Sequence, residues 1–219
     1  MRKLFLIPLI HSGADLGKTG EILARIRKKA DKEKSILHDK MMKTFWSDIE
    51  HYMDGIDKKK IVIYQDGLVA EGELGAKIIR HGASLGSRNF RLVSDLMEQG
   101  ATIRKTEDIS IVKQEHTLLM NIFEPGPLIK KALAYMKYLF KKKNFLKLRD
   151  KFMAGKINTT LKKDEIGILF IGLLHDAHTY LEKDIQIVEV KPLDKVRKYY
   201  TAFMGRGKID DFKNSFRDI

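Results

Sequence analysis

Five short apolar runs, at residues 4–9, 60–64, 101–104, 166–171 and 185–190, alternate with longer stretches of helical character, and this alternation constrains the chain most. Runs of this length bounded by turn signals or charges read as strands, not helices. Leu4 to Ile10 and Ile166 to Ile171 show no polar alternation, as expected of strands covered on both faces. Pro8 belongs near a strand end, where a missing N–H costs no ladder bond. Strands separated by helices must run mostly parallel, because each connection crosses over the sheet. The expected architecture is therefore α/β, a mainly parallel and roughly five-stranded sheet flanked by helices. One domain over residues 1–219 is expected, with a helical segment at about 126–161 after the break Pro125-Gly126-Pro127. That segment reads as two helices meeting near Lys143-Asn144, and the residues after Phe203 as a charged tail.

Composition narrows the chemistry. The chain has no cysteine, which excludes disulfides, thiolate metal sites and cysteine nucleophiles, so a metal would be held by His, Asp, Glu or water. The basic start at Arg2-Lys3 resembles that of a signal peptide, but the apolar run is short and meets His11 and Asp15 without a cleavage-like region. No apolar stretch approaches a membrane span, so a cytoplasmic protein without a membrane partner is expected. Lys and Arg outnumber Asp and Glu by 42 to 29, a net charge of +13. Nucleic acid is an obvious partner for such a charge. The lysines nevertheless fall in short clusters at the ends of elements, with no interleaved stacking aromatics, which suits a solvated surface better.

In an open parallel sheet, ligands bind beyond the carboxyl ends of the strands. The polar residues just after each run are His11 and Asp15, then Gln65 and Asp66, then Glu107 and Asp108, then His175, Asp176 and His178. Imidazoles and carboxylates gathered at one edge suit a divalent cation or acid–base chemistry near neutral pH. Each member also has an ordinary reading. Asp108 and Asp176 suit helix caps, Asp66-Gly67 suits a turn, and a lone strand-end histidine suits a structural hydrogen bond. His38, His51, His81 and His116 lie in or beside helices and do not share the convergence.

Two motifs carry a resemblance. Pro8-Leu-Ile-His11 closes the first strand and Gly172-Leu-Leu-His175 the late one, preceded by Arg149-Asp-Lys-Phe-Met-Ala-Gly-Lys-Ile157. The chain thus resembles the TraB/Tiki/ChaN-like superfamily over residues 1–20 and 145–190. Pro8 stands where the first motif has glycine, Asp150 where asparagine is usual, and Gln65-Asp66 where many members carry an acidic residue. The resemblance implies a metal-dependent hydrolase, peptidase- or esterase-like, or a non-catalytic haem- or ligand-binding module. Its metal ligands would be His11, His175 and Asp66, with Glu107 as an alternative third ligand or base. Arg149 would hold a substrate carboxylate or phosphate, or stabilise an oxyanion; a structural salt bridge with Asp150 or a strand-end carboxylate is the ordinary alternative. The partner expected is a small-molecule or peptide substrate, with a basic nucleic-acid-associated protein as the third reading.

Overall fold

The computed structural model of the chain describes residues 1–10, 32–123, 126–205, 209–217 and 219. Five strands, β1 (Arg2–Leu9), β2 (Ile61–Gln65), β3 (Thr102–Arg104), β4 (Ile166–Gly172) and β5 (Ile185–Glu189), form one sheet in the order β3-β2-β4-β1-β5. Every pairing is parallel. The described α-helices are α1 (Lys32–Asp54), α2 (Gly72–Ser84), α3 (Arg88–Glu98), α4 (Ile109–Phe123), α5 (Leu128–Thr160), α6 (Leu193–Met204) and α7 (Ile209–Arg217). None of the described helices is long and apolar enough to cross a membrane.

Strand side chains alternate between two faces, and the core divides accordingly. Phe5, Ile7, Ile63, Ile168 and Phe170 join one apolar cluster with side chains of α1, α2, α3, α6 and α7. Leu4, Leu6, Val62, Tyr64, Leu169 and Ile171 join the other, against Met153 and Ile157 of α5. The interior strands β1, β2 and β4 are buried almost throughout, which is why they lack polar alternation. The edge strand β5 is largely exposed.

Two boundaries differ from expectation. The segment after Pro127 is one continuous helix, Leu128–Thr160, and not two. Lys141 to Lys143 are good helix formers, so a charge run there marks an exposed stretch without breaking the helix. Part of the charged tail is the amphipathic helix α7, whose Phe212 is fully buried.

β4 lies between β1 and β2, so its carboxyl end is where chain connections diverge to either side. Leu9 is in register with Gly172, and Gln65 with Phe170. The ends of β2 and β4 therefore form one ledge, over which the middle of α5 passes.

Candidate functional site

Asp66 is placed by the turn that ends β2. Its N–H donates to the Phe170 carbonyl at 2.9 Å, and the Leu68 N–H closes the turn on the Gln65 carbonyl at 3.1 Å. Gly67 sits at φ +83°, a conformation that favours glycine, so the Asp66-Gly67 pair is both a turn and a positioning device. The carboxylate then accepts a bond from the Gly172 N–H at 3.1 Å. Glu107 is placed by the chain that leaves β3: the Thr106 and Glu107 N–H groups both donate to the Leu68 carbonyl, and the Thr106 hydroxyl donates to the Gln65 carbonyl. Asp108, as expected, caps α4 by accepting from the Ser110 N–H at 2.8 Å.

His175 stands at the end of β4, buried at 5% exposure. Its Nδ1 is 2.6 Å from Asp150 Oδ1, and its Nε2 is 3.6 Å from Asp66 Oδ2. The second oxygen of Asp150 accepts from the Asp176 N–H at 3.1 Å, so Asp150 holds both the ring and its backbone. Arg197 of α6 adds bonds to the Leu173 and His175 carbonyls. Asp176 makes no side-chain cap of the following turn and pairs with Arg197 instead.

Arg149, one residue before Asp150 on α5, binds carboxylates from three elements. Its Nε and an Nη grip Glu107 at 2.6 to 3.0 Å, and it reaches Asp66 and Glu115 at 3.4 Å each. The strand-end carboxylate is thus its partner, and Asp150 is not among its salt bridges. Among the described residues, the carboxylates of Asp66, Glu107, Glu115 and Asp150 thus crowd around the Arg149 guanidinium and the His175 imidazole.

The electrostatics follow from this crowding. Burial raises the Glu107 pKa, with the charge of Asp66 adding to it and the bonds from Arg149 opposing. Burial alone would lower the His175 pKa, but the bond to Asp150 and the charge of Asp66 outweigh it, and the imidazole ends above its ordinary value. Arg149 is displaced upward in the same way: burial opposes its charge, and Glu107 more than restores it.

Ligand atoms of Asp66, Glu107 and His175 all lie within 4.8 Å of one another. Donors on a tetrahedral ion at about 2.0–2.2 Å sit about 3.4 Å apart. The 3.6 Å between His175 Nε2 and Asp66 Oδ2 is already close to that separation. Glu107 has both oxygens engaged by Arg149, yet each carboxylate oxygen has a second lone pair to offer. The donor set therefore fits a hard or borderline divalent cation.

Asp66, Arg149 and His175 of this cluster line a cavity of about 540 Å³, whose other walls come from α3, α4 and α5 and include Phe90, Tyr138 and Leu146. Two of its residues went unnoticed as site candidates or were read only as strand-end polars. Gln65 and Asn89 are 1% and 3% exposed, and Gln65 Oε1 and Asn89 Oδ1 have no hydrogen-bond partner among the described residues.

Of the residues singled out in the sequence, Asp66, Glu107, Arg149 and His175 come together. His11 lies outside the described residues, as does Asp15. Asp150 was the missed member. It lies one turn before Met153 and Ala154 on the buried face of α5, and a carboxylate at apolar helical spacing was the available signal. His38 does have a partner, the Tyr199 hydroxyl at 2.7 Å, and its ring stacks on Phe203. No family model, curated protein or solved structure matches the chain, so the site is read from its own geometry.

Proposed function

We propose that the chain is a metal-dependent hydrolase whose divalent cation is held by Asp66, His175 and an oxygen of Glu107. The observation that carries this reading is the 2.6 Å bond between His175 Nδ1 and Asp150. Metal-binding histidines regularly donate their second ring N–H to a carboxylate, which fixes the tautomer and leaves the other nitrogen as a donor. Here that other nitrogen is the one near Asp66.

The ion would supply Lewis acidity toward a water or a substrate oxygen. The residues of the chain have separate tasks. Asp150 orients His175, and Arg149 neutralises Glu107 while standing beside Asp66, where it can steady a developing negative charge. The unpartnered oxygens of Gln65 and Asn89 favour a substrate that brings hydrogen-bond donors. A peptide or other amide has an N–H to offer and a simple ester has none, so a peptide-like substrate is the better fit. This agrees with the peptidase branch of the TraB/Tiki/ChaN-like resemblance, in which His11 would complete the ligand set.

The test is to load the metal-stripped protein with zinc or manganese and follow hydrolysis of matched peptide and ester substrates. Metal-dependent cleavage lost in His175→Ala and Asp66→Asn supports the proposal. Cleavage that ignores metal and both substitutions refutes it, and a Soret band on adding haem in place of any activity favours the haem-binding alternative.

A further inference from the structure

The helical hairpin of α4 and α5 carries an apolar surface that the fold leaves uncovered. None of the described residues of α4 is buried, and the first buried residue of α5 is Phe145. Along the first half of α5, Ile129, Leu133, Met136 and Phe140 recur at spacings of four, three and four, which aligns them on one helix face. They are 76%, 65%, 49% and 79% exposed. The partly buried Ala134 and Tyr138 and the buried Phe145 lie on the opposite side of the helix by the same geometry. Four large apolar side chains in one exposed row are not the scattered singles expected on a free surface.

The charge around this row identifies its occupant. Residues 128–149 contain Lys130, Lys131, Lys137, the run Lys141 to Lys143, Lys147 and Arg149, and no Asp or Glu. At 100° per residue, Lys130, Lys137 and Lys141 form one shoulder of the row and Lys143 stands on the other. A second copy of the helix would set this shoulder against like charge, whereas paired helices need opposite charges flanking their seam. An anionic bilayer takes both features, since the apolar row enters the boundary between headgroups and acyl chains while the lysines meet the phosphates.

We propose that the α5 face bearing Ile129, Leu133, Met136 and Phe140 docks on an anionic membrane surface, with the flanking lysines on the lipid headgroups. The contact is peripheral, as no described helix is built to cross. It also orients the enzyme. The same helix continues through Lys142, Lys143 and Leu146 on the cavity wall to Arg149 in the cluster, so docking would hold the cavity within one helix length of the lipid surface.

The test is co-sedimentation of the full chain with vesicles of phosphatidylcholine and phosphatidylglycerol in equal parts, against vesicles of phosphatidylcholine alone. Two variants separate the contributions: Leu133→Ser with Phe140→Ser, and Lys130→Gln with Lys137→Gln and Lys141→Gln. All five positions are outside the metal cluster, and circular dichroism verifies the fold. Binding is expected only to the anionic vesicles. The lysine variant should lose affinity on the order of a hundredfold, from about a fivefold loss for each lysine, and the serine variant should lose at least tenfold. Equal binding to both vesicle types overturns the proposal. So does anionic binding that the serine variant retains in full, which would assign attraction to the general positive charge. A dimer in sedimentation equilibrium that the serine variant dissociates assigns the face to a second copy and also overturns it. None of these readouts depends on catalysis, so the proposal and the hydrolase reading fail separately.

Discussion

Replacing Asp150 by Asn isolates the contact on which the site depends. The carboxylate is 4% exposed and accepts two bonds, from the His175 ring at 2.6 Å and the Asp176 N–H at 3.1 Å. Asparagine keeps the size but retains only one accepting oxygen, so one of the two bonds must be lost or reversed. The lost bond is charge-assisted, which puts the cost to stability at about 1.5–3 kcal/mol. The effect on metal should be larger in proportion. Removing the carboxylate behind a metal-binding histidine lowers affinity by about 10–100-fold. The His175 pKa should fall, because Asp150 supplies the leading interaction that opposes burial. Urea denaturation, zinc calorimetry and an NMR titration of the His175 ring measure the three effects. If zinc affinity stays within twofold of wild type while the protein is destabilised, Asp150 is a structural partner only and the metal assignment loses its support.

Other outcomes follow from the same geometry. Arg149→Met should destabilise by about 3–5 kcal/mol, since it strands the buried Glu107 charge, and Arg149→Met with Glu107→Leu should recover most of that loss in urea denaturation; no recovery would deny their coupling. In metal-free protein, the raised His175 pKa contributes stability that is fully present below about pH 6.5 and is lost as pH rises through the folded-state value. The stability difference between wild type and His175→Asn should therefore shrink as the pH is raised from about 6.5, and a growing difference would reverse the assignment. Ile168→Ala, fully buried in β4, should cost about 2–5 kcal/mol, whereas Phe140→Ala should stay within about 0.5 kcal/mol; comparable losses would contradict the exposure of the α5 face. If the positive charge mainly solubilises the protein, binding to mixed-sequence DNA should be weak and collapse with added salt, and submicromolar affinity lost with one compact lysine patch would refute that.

The strands were legible because burial on both faces erases polar alternation, and β1, β2 and β4 are the three interior strands. Asp66, Glu107 and His175 were legible for a related reason, since parallel strands deliver whatever follows them to one edge. Asp150 was not, because nothing in strand order says which helix crosses that edge or at which turn. Its placement follows from the packing of Met153 and Ile157 on the sheet, which sets the rotation of α5 and points the preceding turn at β4. The continuity of α5 was obscured by the same lysines that make its surface half soluble. Gln65 was visible as a strand-end polar residue, but Asn89 reaches the cavity from the first turn of α3, where side-chain polarity alone carries no address.

The most direct test of the central claim is anomalous scattering from crystals of the protein equilibrated with zinc or manganese. The account predicts one strong peak about 2.0–2.2 Å from His175 Nε2, a carboxylate oxygen of Asp66 and an oxygen of Glu107, with the His175–Asp150 bond preserved. No peak among these groups, or a peak elsewhere while the Arg149–Glu107 ion pair persists, would contradict it.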